Sequence, residues 1–151
     1  MIGIIVYLLA ALVVSFLLTV IYVMMRPVNS RDELKSWRVL LVFYVLAITG
    51  PYGYAEVMTR LVGGSMKPAV TAALDDAEVG GDLKYYKVIL YNGSTARVIA
   101  VTEGTADWGG TDKPVVAMTL LKNGNDWKVD SYRIISSFKS GQDGFTFPPF
   151  F

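Results

Sequence analysis

Residues 1–25, MIGIIVYLLAALVVSFLLTVIYVMM, contain no charged side chain. As a helix rising 1.5 Å per residue, Ile2 to Met25 is about 36 Å long, enough to cross a hydrocarbon layer of about 30 Å. A transmembrane helix over 1–25 is therefore expected. A secretory signal peptide would carry a basic n-region, a shorter apolar core and a small-residue cleavage site. This stretch instead begins Met1-Ile2-Gly3 and ends Met24-Met25-Arg26-Pro27.

Outward from that segment, residues 26–38 carry Arg26, Arg31, Lys35 and Arg38 beside Asp32 and Glu33. Ser30 and Glu33 have capping-box spacing, so a loop leading into a helix is expected. The apolar run from Val39 to Ala55 is 17 residues, about 25 Å of helix, before the first charge at Glu56. Trp37, Tyr52 and Tyr54 can lie at interfaces and Arg38 can snorkel, so 39–62 reads as a second span. Pro51 lacks an N–H and its ring collides with the preceding turn, which predicts a kink or an end there. Glu56 is the one acid near membrane depth, and such a carboxylate is a candidate for a proton or ion path. Arg60, four residues on, supplies the plainer reading of an i,i+4 ion pair. Four basic residues lie between the spans and none before the first, which places 26–38 in the cytoplasm and both termini opposite.

Gly63-Gly64-Ser65 is expected to break the second helix. Beyond it, the 86 residues from Met66 to Phe151 hold nine basic and ten acidic side chains, the balance of an ordinary soluble domain. Pro68 suits a first helical turn, and Pro68 to Leu74 reads as a short helix with Ala69, Val70, Ala73 and Leu74 available for packing. Asp75-Asp76 and Gly80-Gly81 should stop it. Leu83–Tyr91 and Thr95–Thr102 flank Asn92-Gly93-Ser94, and Pro114–Lys122 and Asp126–Ile135 flank Asn123-Gly124-Asn125. Asn-Gly between β-rich runs signals a hairpin. The predicted fold is an α+β membrane protein: two transmembrane helices, then over 66–137 one short helix on a four-stranded antiparallel sheet. In the last strand, alternation should put Trp127, Val129 and Ser131 on one face and Lys128, Asp130 and Tyr132 on the other. Residues 138–151 form an aromatic tail.

The run from Ala117 to Val129, with Gly124, Trp127, Lys128 and Val129, resembles the final hairpin of nuclear-transport-factor-like (cystatin-like) α+β domains. The order of membrane anchor, short helix and small sheet is also similar to membrane-anchored cytochrome oxidase assembly factors. The likeness spans about 60 residues and rests on a common hairpin pattern. The chain lacks the long N-terminal helices that build the first family's pocket, and the His residues and acid pairs of its enzymes. What the resemblance implies is a binding or scaffolding domain.

Composition removes many chemistries. The chain has no His and no Cys, which excludes disulfides, Cys or His metal sites, and the Ser-His-Asp and Cys-His triads. With 14 basic against 13 acidic residues, the charge of +1 offers no field for nucleic acid. Hydrophobic residues make up 53% and charged residues 18%, against about 25% charged in soluble domains, so part of the chain belongs outside water. Gly63-Gly64, Gly80-Gly81 and Gly109-Gly110 match neither a P-loop nor a dinucleotide fingerprint. No cofactor is expected.

Asp75, Asp76, Glu78 and Asp82 form an acidic cluster that could supply Ca²⁺ with oxygens, but its spacing fits no EF-hand loop, and a solvated turn accounts for it. Asp107 and Asp112 around Trp108-Gly109-Gly110 raise the same idea. Trp108 reads equally as an interface anchor or as a ring folded over the sheet edge. Asn92-Gly93-Ser94 is a glycosylation acceptor pattern that a tight hairpin also demands.

Four of the seven Phe fall in the last seven residues: Phe145, Phe147, Phe150 and Phe151, around Pro148 and Pro149. So many rings are costly to leave in water. They pack on the chain's own sheet or on another subunit, and the extended shape imposed by Pro148-Pro149 suits the latter. The expected function is a non-catalytic accessory subunit of a larger membrane-protein complex, respiratory or photosynthetic. It would sit in a bacterial inner membrane with its C-terminal domain periplasmic, and its partners would be other subunits and the bilayer. The alternatives are a membrane-anchored assembly or chaperone-type factor and a small ligand- or metal-binding domain.

Overall fold

A computed structural model describes residues 2–27, 35–77, 79, 81–105, 109–137, 141–142, 146 and 148–149. The chain divides into two compact units, Met1–Gly53 with Phe147–Phe151, and Tyr54–Thr146. The class is α+β with an antiparallel sheet.

In the first unit, α1 spans Ile2–Met25 and α2 begins at Ser36; α2 runs to Met58, so its last turn belongs to the second unit. Both are long and apolar enough to cross a membrane. The face of α1 that is buried carries Tyr7, Ala11, Ser15 and Thr19, at four-residue spacing, whereas Ile5, Leu9, Val13 and Leu17 are each more than half exposed. Small and hydroxylic residues thus line the inside of the pair, and large apolar ones its outside. The buried hydroxyls are satisfied locally: Ser15 donates to the Ala11 carbonyl at 2.5 Å and Thr19 to the Ser15 carbonyl at 2.7 Å. At one end the Tyr7 ring meets Tyr52 edge-on at 5.9 Å, and towards the other Tyr22 meets Phe43 at 6.1 Å.

The helix passes through Pro51 without ending. Pro51 has no N–H to offer the Ala47 carbonyl four residues back. The Tyr7 hydroxyl supplies a donor there, 2.6 Å from the Ile48 oxygen and 3.4 Å from that of Ala47. A neighbouring helix thus brings a donor to the stretch of α2 that the proline disrupts, chiefly at Ile48. The capping-box reading at Ser30 and Glu33 lies outside the described residues.

In the second unit, the expected break at Gly63-Gly64-Ser65 does not occur. Thr59–Gly63 forms a π-helical turn and α3 follows directly over Gly64–Asp76. Both Gly63 (φ −58°) and Gly64 (φ −48°) are right-handed helical. Gly63 is there for close approach: a Cβ on it would lie 3.2 Å from the Tyr86 hydroxyl. Pro68 stands inside α3 rather than at its start, because the face that packs on the sheet, Met66, Val70, Ala73 and Leu74, extends on both sides of it.

Six strands follow: β1 Asp82–Tyr91, β2 Thr95–Thr105, β3 Thr111–Asp112, β4 Val115–Asn123, β5 Asp126–Ser137 and β6 Gly141–Gln142. The four long strands are those predicted. All pairings are antiparallel in the order β1-β2-β4-β5-β6, with β3 added to β2. The two short strands fall where a loop and a tail were expected, since two-residue pairings leave no periodic signal. The core joins α3 to one sheet face through Val88, Val98, Ala100, Val116, Met118, Leu120 and Trp127.

Simple alternation fails in β5. Val129 pairs with Leu120 and Ser131 with Thr119, leaving Asp130 as the extra residue of a bulge. Beyond it Tyr132 pairs with Met118 and shares the face of Val129, not that of Lys128.

Gly81 is the glycine that the backbone requires, with φ +99° and space that would put a Cβ 2.5 Å from the Glu103 carbonyl carbon and oxygen. Gly81→Ala should destabilise the chain by about 1–3 kcal/mol in urea unfolding followed by circular dichroism. Gly64→Ala, helical and with nothing within 4 Å of its Cβ position, should be neutral or stabilising by up to ~1 kcal/mol.

Candidate functional site

The most connected polar cluster surrounds Glu56 in the last turn of α2. Arg60, one turn on in the π-helical segment, donates from Nε to Glu56 Oε1 at 2.9 Å, and Lys87 of β1 donates from Nζ to Glu56 Oε2. The i,i+4 pair read from the sequence forms, and a strand brings a second cation that no local spacing signals. Next to it, Thr59 donates to the Ala55 carbonyl at 2.6 Å and accepts the Val88 N–H at 2.9 Å. A side chain thus satisfies an N–H of the edge strand β1, which protects that edge from pairing with another chain.

π-turns often mark functional sites because they re-aim side chains. Here the turn presents Thr59 and Gly63 to Val88 and Tyr86. Burial pushes the Tyr86 phenol above its ordinary range. A carboxylate that relays protons must release and regain them, whereas both Glu56 oxygens are engaged by cations. The arrangement is that of a fastener between helix and strand.

Glu103 of β2 repeats the pattern, with Lys84 at 2.5 Å and Lys113 at 3.5 Å. The hydrogen bond from Lys84, aided by the charges of both lysines, holds its carboxyl below the usual carboxylate range.

The acidic cluster proposed for metal does not assemble among the described residues. Asp75 and Asp76 end α3 and Asp82 begins β1, all three exposed, and no three acidic side chains converge on an ion-sized space. Glu78 lies outside the described residues, as does Asp107; Asp112 is in β3. The Asn92 carboxamide oxygen accepts the Ser94 and Thr95 N–H groups at 3.3 and 2.8 Å, the work of a turn residue.

Of the partner-contact candidates, Trp108, Phe145, Phe147, Phe150 and Phe151 lie outside the described residues. Pro148 is buried, and the Pro149 carbonyl accepts the Tyr52 hydroxyl at 2.7 Å. Of the tail, Gly141–Gln142 pairs with β5 of the chain's own sheet, while the contact of Pro149 with Tyr52 of α2 was not anticipated from the sequence. Sequence reasoning also missed the seam of Tyr7, Ala11, Ser15 and Thr19, although its four-residue spacing was there to be counted. No protein family, curated protein or solved structure matches this chain.

Two outcomes follow from these ion pairs and acids. Because the folded Glu103 is lowered, its contribution is present above the usual carboxylate range and is lost as pH falls through the lowered value. Glu103→Gln should therefore narrow the stability gap to the parent progressively on acidification, in unfolding midpoints measured from pH 7 to pH 3. Replacing Asp75, Asp76 and Asp82 together by Asn should leave the unfolding midpoint unchanged with and without millimolar Ca²⁺; a Ca²⁺-dependent rise in the parent that the variant loses would restore the metal reading.

Proposed function

We propose that this chain is a membrane-anchored, non-catalytic accessory subunit of a larger membrane-protein complex. The observation that carries it is the inverted pattern of α1, where Ser15 is wholly buried and Ile5, Leu9, Val13 and Leu17 face outward. Water would penalise that arrangement and lipid favours it, since lipid-facing surfaces are apolar and small or hydroxylic residues sit between helices. α1 and α2 are the two spans. The basic residues of 26–38 place that loop in the cytoplasm and the sheet domain on the periplasmic side of a bacterial inner membrane.

The sheet unit is the part that meets other subunits. Its ion pairs serve as fasteners, and the resemblance of the β4–β5 hairpin to nuclear-transport-factor-like domains, and of the whole layout to cytochrome oxidase assembly factors, supports binding rather than turnover. Trp108 and the rings of Phe145, Phe147, Phe150 and Phe151, set around Pro148 and Pro149, are the proposed contacts. Such rings concentrate apolar area in a short segment, as interface anchors do.

Purification from membranes in mild detergent, with mass spectrometry of what co-purifies, tests the assignment. Stoichiometric recovery with respiratory or photosynthetic subunits is the expected result, and substoichiometric recovery marks a transient assembly factor instead. Deleting residues 145–151 should reduce that recovery while the helices remain in the membrane. Since the chain has no thiol, single cysteines at Ser30→Cys and Ser140→Cys should label from opposite sides; labelling from one side removes the two-span reading.

A further inference from the structure

Asparagine is followed by glycine at two places in the chain, Asn92-Gly93 between β1 and β2 and Asn123-Gly124 between β4 and β5. Such a step is open to an intramolecular reaction, because a residue without Cβ leaves its backbone nitrogen unobstructed beside the preceding carboxamide carbon. Both turns stand at the same end of the sheet, where the Lys122 N–H donates to the Ser94 carbonyl at 2.7 Å. Both asparagines are exposed, and Gly93 (φ +91°) and Gly124 (φ +64°) each have nothing within 4 Å of a Cβ position. Solvent and steric access are therefore matched, and the difference lies in what holds each carboxamide.

Asn92 is held. Its Oδ1 accepts the Thr95 N–H at 2.8 Å, the Ser94 N–H at 3.3 Å and the Ser94 hydroxyl at 3.4 Å, and its own N–H donates to the Thr95 carbonyl at 3.1 Å. Swinging the carboxamide carbon onto the Gly93 nitrogen breaks the bonds to Oδ1. Asn123 is the last residue of β4 and pairs with Asp126 across Gly124 and Asn125. Its carboxamide makes no hydrogen bond among the described residues. It lines an open groove of about 350 Å³ with Lys122, Lys128 and Asp130, which admits water. The closing pair of a hairpin also frays without unfolding the sheet behind it.

We infer that Asn123 is a site of spontaneous covalent modification, deamidating through a cyclic imide while Asn92 persists. The Gly124 nitrogen loses its proton to hydroxide and bonds to Asn123 Cγ. The bond from Cγ to the side-chain nitrogen breaks, and that nitrogen leaves as ammonia with a proton from water. Water then opens the imide ring. Cleavage of the ring nitrogen's bond to Cγ gives aspartate, and cleavage of its bond to the main-chain carbonyl carbon gives isoaspartate, whose backbone runs through Cβ and Cγ. No oxidant or reductant takes part. Either product sets a carboxylate beside Lys122 and Lys128, and isoaspartate lengthens β4 where it pairs with Asp126, next to the Lys122–Trp127 pair.

The test holds the full chain in neutral detergent at mildly alkaline pH, in water enriched in the heavy oxygen isotope, then digests it with an acid protease for tandem mass spectrometry. Asn123 should convert, with label incorporated, about tenfold faster than Asn92 or more, a factor that the loss of a single hydrogen bond approaches. In guanidinium chloride with detergent, where the hairpins are unfolded, the gap should close. Asn123→Gln, which would have to form a larger ring, should abolish conversion at 123 and leave Asn92 as it was. Equal rates in the folded chain, or no conversion at Asn123, would overturn the proposal. Faster conversion at Asn92 would overturn it too, since its three donors would then be stabilising the oxyanion of the reaction instead of restraining the carboxamide. A gap that survives unfolding would place its cause in the neighbouring sequence and sink the structural assignment equally.

Discussion

A backbone carbonyl away from water must find a donor, and Pro51 deprives one of its partner in the middle of α2. The Tyr7 hydroxyl answers from α1, reaching the Ile48 and Ala47 oxygens while its ring rests edge-on against Tyr52. That contact lets a helix continue through a proline, and it sets the side of α1 that faces α2. Ala11, Ser15 and Thr19 lie on that side at successive four-residue steps, small enough for close approach and with their hydroxyls turned back onto their own helix. The Tyr52 hydroxyl in turn donates to the Pro149 carbonyl at 2.7 Å, so the same aromatic pair also anchors part of the C-terminal segment.

The second unit depends on a comparable substitution of side chain for backbone. The π-turn at Thr59–Gly63 offers the Thr59 hydroxyl to the Val88 N–H and the bare backbone of Gly63 to the Tyr86 ring. Glu56, with Lys87 and Arg60, adds charge to the same junction of helix and edge strand. Exposed or half-exposed ion pairs contribute little to stability by themselves, so the weight falls on the apolar packing of α3 against the sheet. The ion pairs select one register between helix end and strand, and a wrong register would leave Lys87 without its carboxylate.

These two arrangements bear on function in different ways. The helix pair turns large apolar side chains outward along its length, a pattern that a lipid environment favours. The sheet unit instead buries its apolar residues against α3 and holds Glu56 and Glu103 in ion pairs with its own basic residues.

The alternating β-rich runs and the Asn-Gly turns were sufficient to locate the four long strands, because strand periodicity and turn chemistry are local properties. The length and apolarity of α1 were equally legible, as was the Glu56–Arg60 pair at helical spacing. Other features depend on residues far apart in sequence. Gly63-Gly64 looks like a stop when read locally, and it is not, because the helix continues there with Tyr86 filling the space beside Gly63; at Pro51, read as a kink or an end, α2 continues with the Tyr7 hydroxyl donating close by. The bulge at Asp130, which moves Tyr132 to the other face, comes from pairing with β4, and Lys87 joins Glu56 only once β1 lies beside the helix. By itself the sequence determined the long strands, the apolar helices and their polarity. The tertiary structure decided which breaks are real, since a backbone group is broken or satisfied only by what comes to stand opposite it.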